Sequence, residues 1–253
     1  MPYVRRTTRA GKTIEVECYF TSRYNKRGGS RKDKVKATRE EQKKVNTRVA
    51  ERKLRLLMNN NFGYGDYHIV LDYIRKRGQP ERTKEEMRKD IAVFLRELRK
   101  KYRERGKELK YIHVMEIGEK GARHHHLVIN QIDTDILQDA WNKAYAGPNK
   151  DSRVKIFPLD KTGQYKKLAS YFIKYTDKTM KTDKALQGKR WNCSKNLVRP
   201  ISKYQIMSSR SWFRTDPKPK KGYYIDLETV ERGITSPEYY GYGYFRYTMV
   251  KLD

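Results

Sequence analysis

The chain is poor in cysteine, in acidic charge and in long apolar runs. It has 2 cysteines, Cys18 and Cys193, in 253 residues. They offer neither a disulfide framework nor the CxxC spacing of a zinc site, so a disulfide-stapled secreted fold and a zinc module are set aside, and a reducing cytoplasm fits. No apolar stretch approaches the roughly 18 residues that cross a bilayer. The opening MPYVRRTTRA lacks the apolar core of a secretion signal. The expectation is a cytoplasmic protein with no membrane partner. Apolar residues make up 36% of the chain, and the mean hydropathy is -1.02. Much of that apolar share is Tyr, at 20 residues, which predicts a modest core with polar extensions.

What the chain has in excess is positive charge. Lys and Arg number 59 against 30 Asp and Glu, a formal net charge of +29. Such a chain binds polyanions, because each bound cation releases counterions from a phosphate backbone. Nucleic acid is the expected partner; the plainer alternative is a generally adhesive basic protein, such as a ribosomal component.

Residues 1–37 are basic, and 22–38 (SRYNKRGGSRKDKVKAT) carry Gly and charge with little apolar content; the reading is a basic flexible arm over 1–37. Thr38–Glu41 reads T-R-E-E, a capping-box signature, and predicts a helix over 39–59 that NNNFGYGD (59–66) ends. Periodicity then predicts a strand at 67–74, a helix at 83–105, a hairpin of 111–118 with 123–132, a helix at 135–146, a strand at 153–159 and a basic helix at 165–180. The order β-α-β-β-α-β-α predicts an α+β fold: a ferredoxin-like, RNA-recognition-motif-like sandwich with a central antiparallel sheet and packed helices. The main domain is read as 38–210, with further strand near 201–208. Residues 211–253 form a Tyr-rich C-terminal extension.

Residues 121–130 read GARHHHLVIN. On a strand, residues two apart share a face, so His124 and His126 project together and His125 points the other way, into packing. A hairpin turn centred near Lys120 and Gly121 brings Glu116 opposite His126, about 5 Å away at Cβ. Glu119, in the turn, is the alternative third ligand. Two imidazoles and a carboxylate with open positions suit a divalent ion, Mg²⁺ or Mn²⁺. The competing reading is a solvated strand that happens to be rich in His. His68 and His113 read as ordinary strand residues.

Residues 171–178 read YFIKYTDK. Tyr171 and Tyr175 are four apart, on one helix face, and Lys174 and Lys178 each follow a Tyr by three. A tyrosine hydroxyl can attack a phosphodiester. A divalent ion would stabilise the charge that develops, and a Lys could orient a phosphate oxygen. The competing reading is a Tyr pair that packs a helix onto a sheet.

The His-x-His strand followed by the tandem Tyr-xx-Lys helix resembles the HUH endonucleases, in particular the two-tyrosine rolling-circle replication initiators (Rep proteins) of single-stranded DNA phages and related plasmids. His125 stands where the family has an aliphatic residue. Asp72, in HIVLDY, stands where its first strand has a Thr. The resemblance covers about residues 40–210 and implies nicking of one DNA strand at an origin. A Tyr becomes joined to the 5′ phosphate, a 3′ hydroxyl is freed for host polymerase, and the second Tyr accepts the strand for rejoining. It further implies a single-stranded or hairpin-flanked origin as partner, a host helicase, the bacterial cytoplasm as location, and catalytic roles for Tyr171, Tyr175, Lys174 and Lys178 beside a metal on His124, His126 and Glu116. The rivals are a single-strand transposase of the same chemistry, a relaxase, and a nucleic-acid-binding module without chemistry. GKRWNCSKNLVRP (188–200) suggests no chemistry. SPEYYGYGYFRYT (236–248) reads either as rings that stack on unpaired bases or as an aromatic strand at a sheet edge. Trp141, Trp191 and Trp212 read as packing residues.

Overall fold

The computed structural model of the chain describes residues 2–21, 38–73, 81–118, 121–145, 152–179, 189–208, 214–234 and 241–252. The chain divides into two compact units. One comprises Met1–Val49, Thr162–Gln164 and Arg199–Asp253; the other comprises Ala50–Lys161 and Tyr165–Val198. Each holds one antiparallel five-stranded sheet, and the class is α+β as expected.

In the first unit, β1 (Tyr3–Ala10) and β2 (Thr13–Phe20) form a hairpin. With β8 (Ser202–Met207), β9 (Tyr223–Ile234) and β10 (Gly243–Lys251) they give the order β8-β1-β2-β10-β9. This corrects two expectations. Residues 3–20 are not an arm, because Ile14, Val16 and Cys18 are buried with Phe245 and Met249 in a core of their own. Residues 211–253 are not an appendage, because β10 lies inside the sheet, between β2 and β9. Within that aromatic stretch Phe245 is buried, and Tyr242 stacks on Phe20 at 3.7 Å between centroids. The rest of the arm, 22–37, and Tyr239 and Tyr240 lie outside the described residues.

The second unit follows the expected order. It contains β3 (Tyr67–Tyr73), α2 (Lys84–Glu104), β4 (Tyr111–Ile117), β5 (Arg123–Ile129), α3 (Thr134–Ala144), β6 (Ser152–Pro158), α4 (Lys166–Thr179) and the short β7 (Asn192–Cys193). The sheet order is β6-β3-β5-β4-β7, which puts β5 at the centre. Helices cover both faces. On one, Met87, Ile91, Phe94, Leu95 and Leu98 of α2 and Leu137 and Trp141 of α3 bury Ile69, Leu71, Met115, Leu127 and Ile129. On the other, Phe172 and Ile173 of α4 and Leu54 and Met58 of α1 (Arg39–Asn61) bury Ile112, Val114 and Val128. Each large apolar side chain so buried contributes about 1.5–3 kcal/mol.

Local signals set the helix ends. Thr83 and Glu86 form a capping box at the start of α2, and Thr38 and Glu41 bond reciprocally at the start of α1. The Asn run at the end of α1 is a set of staples. Asn59 Oδ1 accepts from the Tyr165 N–H at 3.0 Å, just before α4, and Asn61 bonds both backbone groups of Val198. Ser194 exchanges bonds with the Tyr111 backbone. The segment through 190–198 is therefore sheet-edge structure, which is why its sequence suggested no chemistry. Among the described residues no helix is long and apolar enough to cross a membrane.

Candidate active site

β5 alternates as a strand must. His125, Leu127 and Ile129 face α2 and α3 (the back face), while His124, His126 and Val128 face α1 and α4 (the front face). The hairpin register differs from expectation by two residues: Glu116 lies opposite His124, and Val114 opposite His126. The turn closes with Gly118 N–H donating to the Ala122 carbonyl and Gly121 N–H to the Gly118 carbonyl, and Gly121 takes φ 78°, which favours glycine. A slip of one residue would have turned Glu116 to the back; a slip of two leaves it on the front.

Glu116 still reaches His126 along the diagonal. Its Oε2 lies 2.6 Å from His126 Nε2, and both side chains are buried. The contact is at ion-pair distance, although its angles satisfy a hydrogen bond for neither atom. A buried carboxylate oxygen and an imidazole nitrogen directed at one point are a pair that a divalent cation could share. The other nitrogen of His126, Nδ1, faces His68 Nε2 at 3.3 Å. Burial, with the His126 ring beside it, pushes His68 down to about 3, so it stays neutral at physiological pH. His124 is held through Nδ1 by Asp72 Oδ1 at 2.8 Å, and Asp72 Oδ2 pairs with Lys155 Nζ at 2.7 Å. Burial raises the Asp72 carboxyl, but the bonds from His124 and Lys155 outweigh it and hold the group below its ordinary value. Each front histidine thus has Nδ1 engaged and Nε2 left as donor, the pattern of partners behind metal-binding imidazoles.

The expected set of three is only partly assembled. The rings of His124 and His126 stand 6.2 Å apart, and among the described residues no three His, Cys, Asp or Glu side chains converge as an ion cage. Asp72 is the reason, since it draws the His124 ring toward β3. The donors nevertheless fit a first-row divalent ion such as Mn²⁺: one buried carboxylate and imidazole nitrogens with supported orientation.

α4 brings the tyrosines to this face. Ala169, Phe172, Ile173 and Thr176 are buried on its inner side, and Tyr171, Tyr175, Lys174 and Lys178 fall within an arc of about 100° on its more open side. The Tyr171 ring packs edge-on against His126 at 5.3 Å, and its hydroxyl hydrogen-bonds with Glu116 and Tyr175. Burial and the Glu116 carboxylate raise the Tyr171 phenol well above its ordinary value. Tyr171 and Tyr175 lie 4.5 Å apart between centroids. Lys174 is exposed on the same helix. Lys178 is in the last turn of α4, and its side chain lies outside the described residues, as does Glu119.

His125 is more than a packing residue. On the back face its Nδ1 meets His113 Nε2 at 3.0 Å, and its Nε2 meets the Tyr73 hydroxyl at 2.8 Å. Tyr73 donates to Asp90, which Arg82 also binds through two nitrogens. Burial drives His113 down to about 3, and His125 well below its ordinary value by burial and its neighbouring histidines. Sequence reasoning passed over His68 and Lys155 and left Asp72 in doubt. The signal was the period-two spacing of His68, Val70 and Asp72 in β3, usable only once β3 is known to pair with β5.

Residues 66–180 match the family described as replication-associated protein ORF2/G2P. The matched stretch runs from the residue before β3 to the residue after α4, so it contains every residue of the front-face constellation. It amounts to a little under half of the chain. No curated protein and no solved structure gives a match.

Proposed function

We propose that the chain is a replication-initiation endonuclease of the HUH type, which nicks one DNA strand at an origin through a tyrosine and later rejoins it. The observation that carries this is Tyr171, whose ring rests on His126 and whose hydroxyl bonds Glu116. The match to replication-associated proteins supports the replication role over the transposase reading.

In this reading Tyr171 is the initiating nucleophile. Its oxygen attacks the scissile phosphorus and the bond to O3′ breaks, so the 5′ phosphate joins the tyrosine and a 3′ hydroxyl leaves. Glu116 orients the attacking hydroxyl and takes up its proton, and the departing O3′ takes a proton from solvent to become the 3′ hydroxyl. Lys174 lies on the same helix flank and neutralises phosphate charge. A divalent cation, Mg²⁺ or Mn²⁺, held by Glu116, His126 and His124 would polarise the phosphate and lower the cost of the phenolate that burial otherwise imposes. In the second round Tyr175 attacks the scissile phosphorus of the newly made strand and its 3′ oxygen leaves; that 3′ hydroxyl then attacks the Tyr171 phosphodiester, which joins the strand and releases the Tyr171 hydroxyl. Host polymerase, with a helicase, would extend the freed 3′ end.

The test is a denaturing gel. With Mn²⁺ and single-stranded oligonucleotides tiling its own replicon, the chain should form a covalent protein–DNA product. Tyr171→Phe should lose initiation, and Tyr171→Phe with Tyr175→Phe should form no product. A product that persists in the double variant contradicts the assignment.

A further inference from the structure

β6 is an outer strand of the second sheet, beside β3. Its register sets Arg153 opposite Asp72, Lys155 opposite Val70 and Phe157 opposite His68. Directly opposed residues share a face, so Arg153, Lys155 and Phe157 form one row on the front face, over about 13 Å of strand. All three are exposed, Phe157 by 50%. The Phe157 ring lies against His68 at 5.5 Å and 27°, and His68 stacks on His126 at 5.6 Å and 21°. A file of rings therefore leads from the open edge of the sheet to His126 and Tyr171.

A lone exposed Phe is ordinary on a protein surface. This one is backed by a second ring and stands in line with two cations at period two. Unpaired nucleic acid is the polymer that uses both features, with phosphates on the charges and a base on the ring. A duplex keeps its base faces stacked away, and an acidic peptide has no use for the ring.

We propose that the front side of β6 is a track for unpaired nucleic acid, with a base stacked on Phe157 and a phosphate on Arg153, while Lys155, paired with Asp72 at 2.7 Å, lends the row its charge. It rests on the function proposed above only in that the track delivers the strand to Tyr171; binding along it needs no cleavage.

The test is fluorescence anisotropy with the full chain carrying Tyr171→Phe and Tyr175→Phe, in chelator, so that no strand is cut. Two probes of equal charge are compared: a thymidine oligomer of about twelve nucleotides, within the usual site size, and an abasic strand of the same length. Phe157→Ala should weaken thymidine binding about tenfold and leave the abasic strand unchanged, and Phe157→Trp should restore it. Arg153→Gln should weaken both probes and flatten the salt dependence by about 0.7 in log–log slope. Equal losses on both probes in Phe157→Ala, or no loss, overturn the track. If the wild-type chain forms covalent product with Mn²⁺ while these variants bind like the parent, the track fails and the proposed function stands. If the probe pattern is as expected and no covalent product forms, the function fails and the track stands.

Discussion

The two faces of β5 hold the same residue type under the same burial and treat it in opposite ways. On the back, His125 is bonded at both ring nitrogens, to His113 and Tyr73, in a chain that runs on to Asp90 and Arg82. On the front, His126 Nε2 and Glu116 Oε2 meet at 2.6 Å as an ion-pair contact whose angles satisfy a hydrogen bond for neither. A buried histidine whose nitrogens are both engaged is part of the scaffold. One paired with a carboxylate, next to a tyrosine hydroxyl, is equipped for chemistry. Burial alone does not separate the two; the kind of partner does.

Substitutions on the two faces should therefore part ways in the cleavage assay. The largest effect belongs to the front: His126→Ala should lower the rate of covalent product formation by at least about a hundredfold, exceeding the usual penalty for losing a group behind a ligand. Asp72→Asn keeps the shape but weakens the hold on His124 and Lys155. It should cost about tenfold in the same rate, recoverable in part by raising Mn²⁺. The smallest effect on rate belongs to the back. His125→Ala should leave the rate per folded molecule nearly unchanged while lowering stability in urea by about 2–4 kcal/mol, from a cavity and partners left unbonded. Equal rate losses for His125→Ala and His126→Ala at full folding would erase the distinction between the faces.

The matched stretch was legible in sequence because its elements are long and periodic. α2 shows its apolar stripe and its capping box, and β3 to α4 appear in the expected order. His-x-His and the tandem Tyr-xx-Lys were visible because strand and helix periods alone place each set on one face. What needed the fold was pairing across distant strands. The register of Glu116 depended on a turn whose centre shifts the partner by two residues, and the roles of His68 and Asp72 on β3 lying beside β5. The first unit was the least legible. β1 carries Arg5, Arg6 and Arg9 among its apolar residues, so the hairpin looks like a basic arm until β10, far along the chain, pairs with β2. Glu17, paired with Arg6, shows how charge was accommodated in a sheet that composition assigned to solvent.

The central claim is that the front face, and not the back, is a divalent-cation site beside Tyr171. Isothermal titration of Mn²⁺ tests it without reference to DNA or turnover. The wild-type chain should take up one ion, His125→Ala should match it, and Glu116→Gln should weaken it by at least about tenfold. Mn²⁺ binding of equal strength in the wild type and Glu116→Gln would contradict the account.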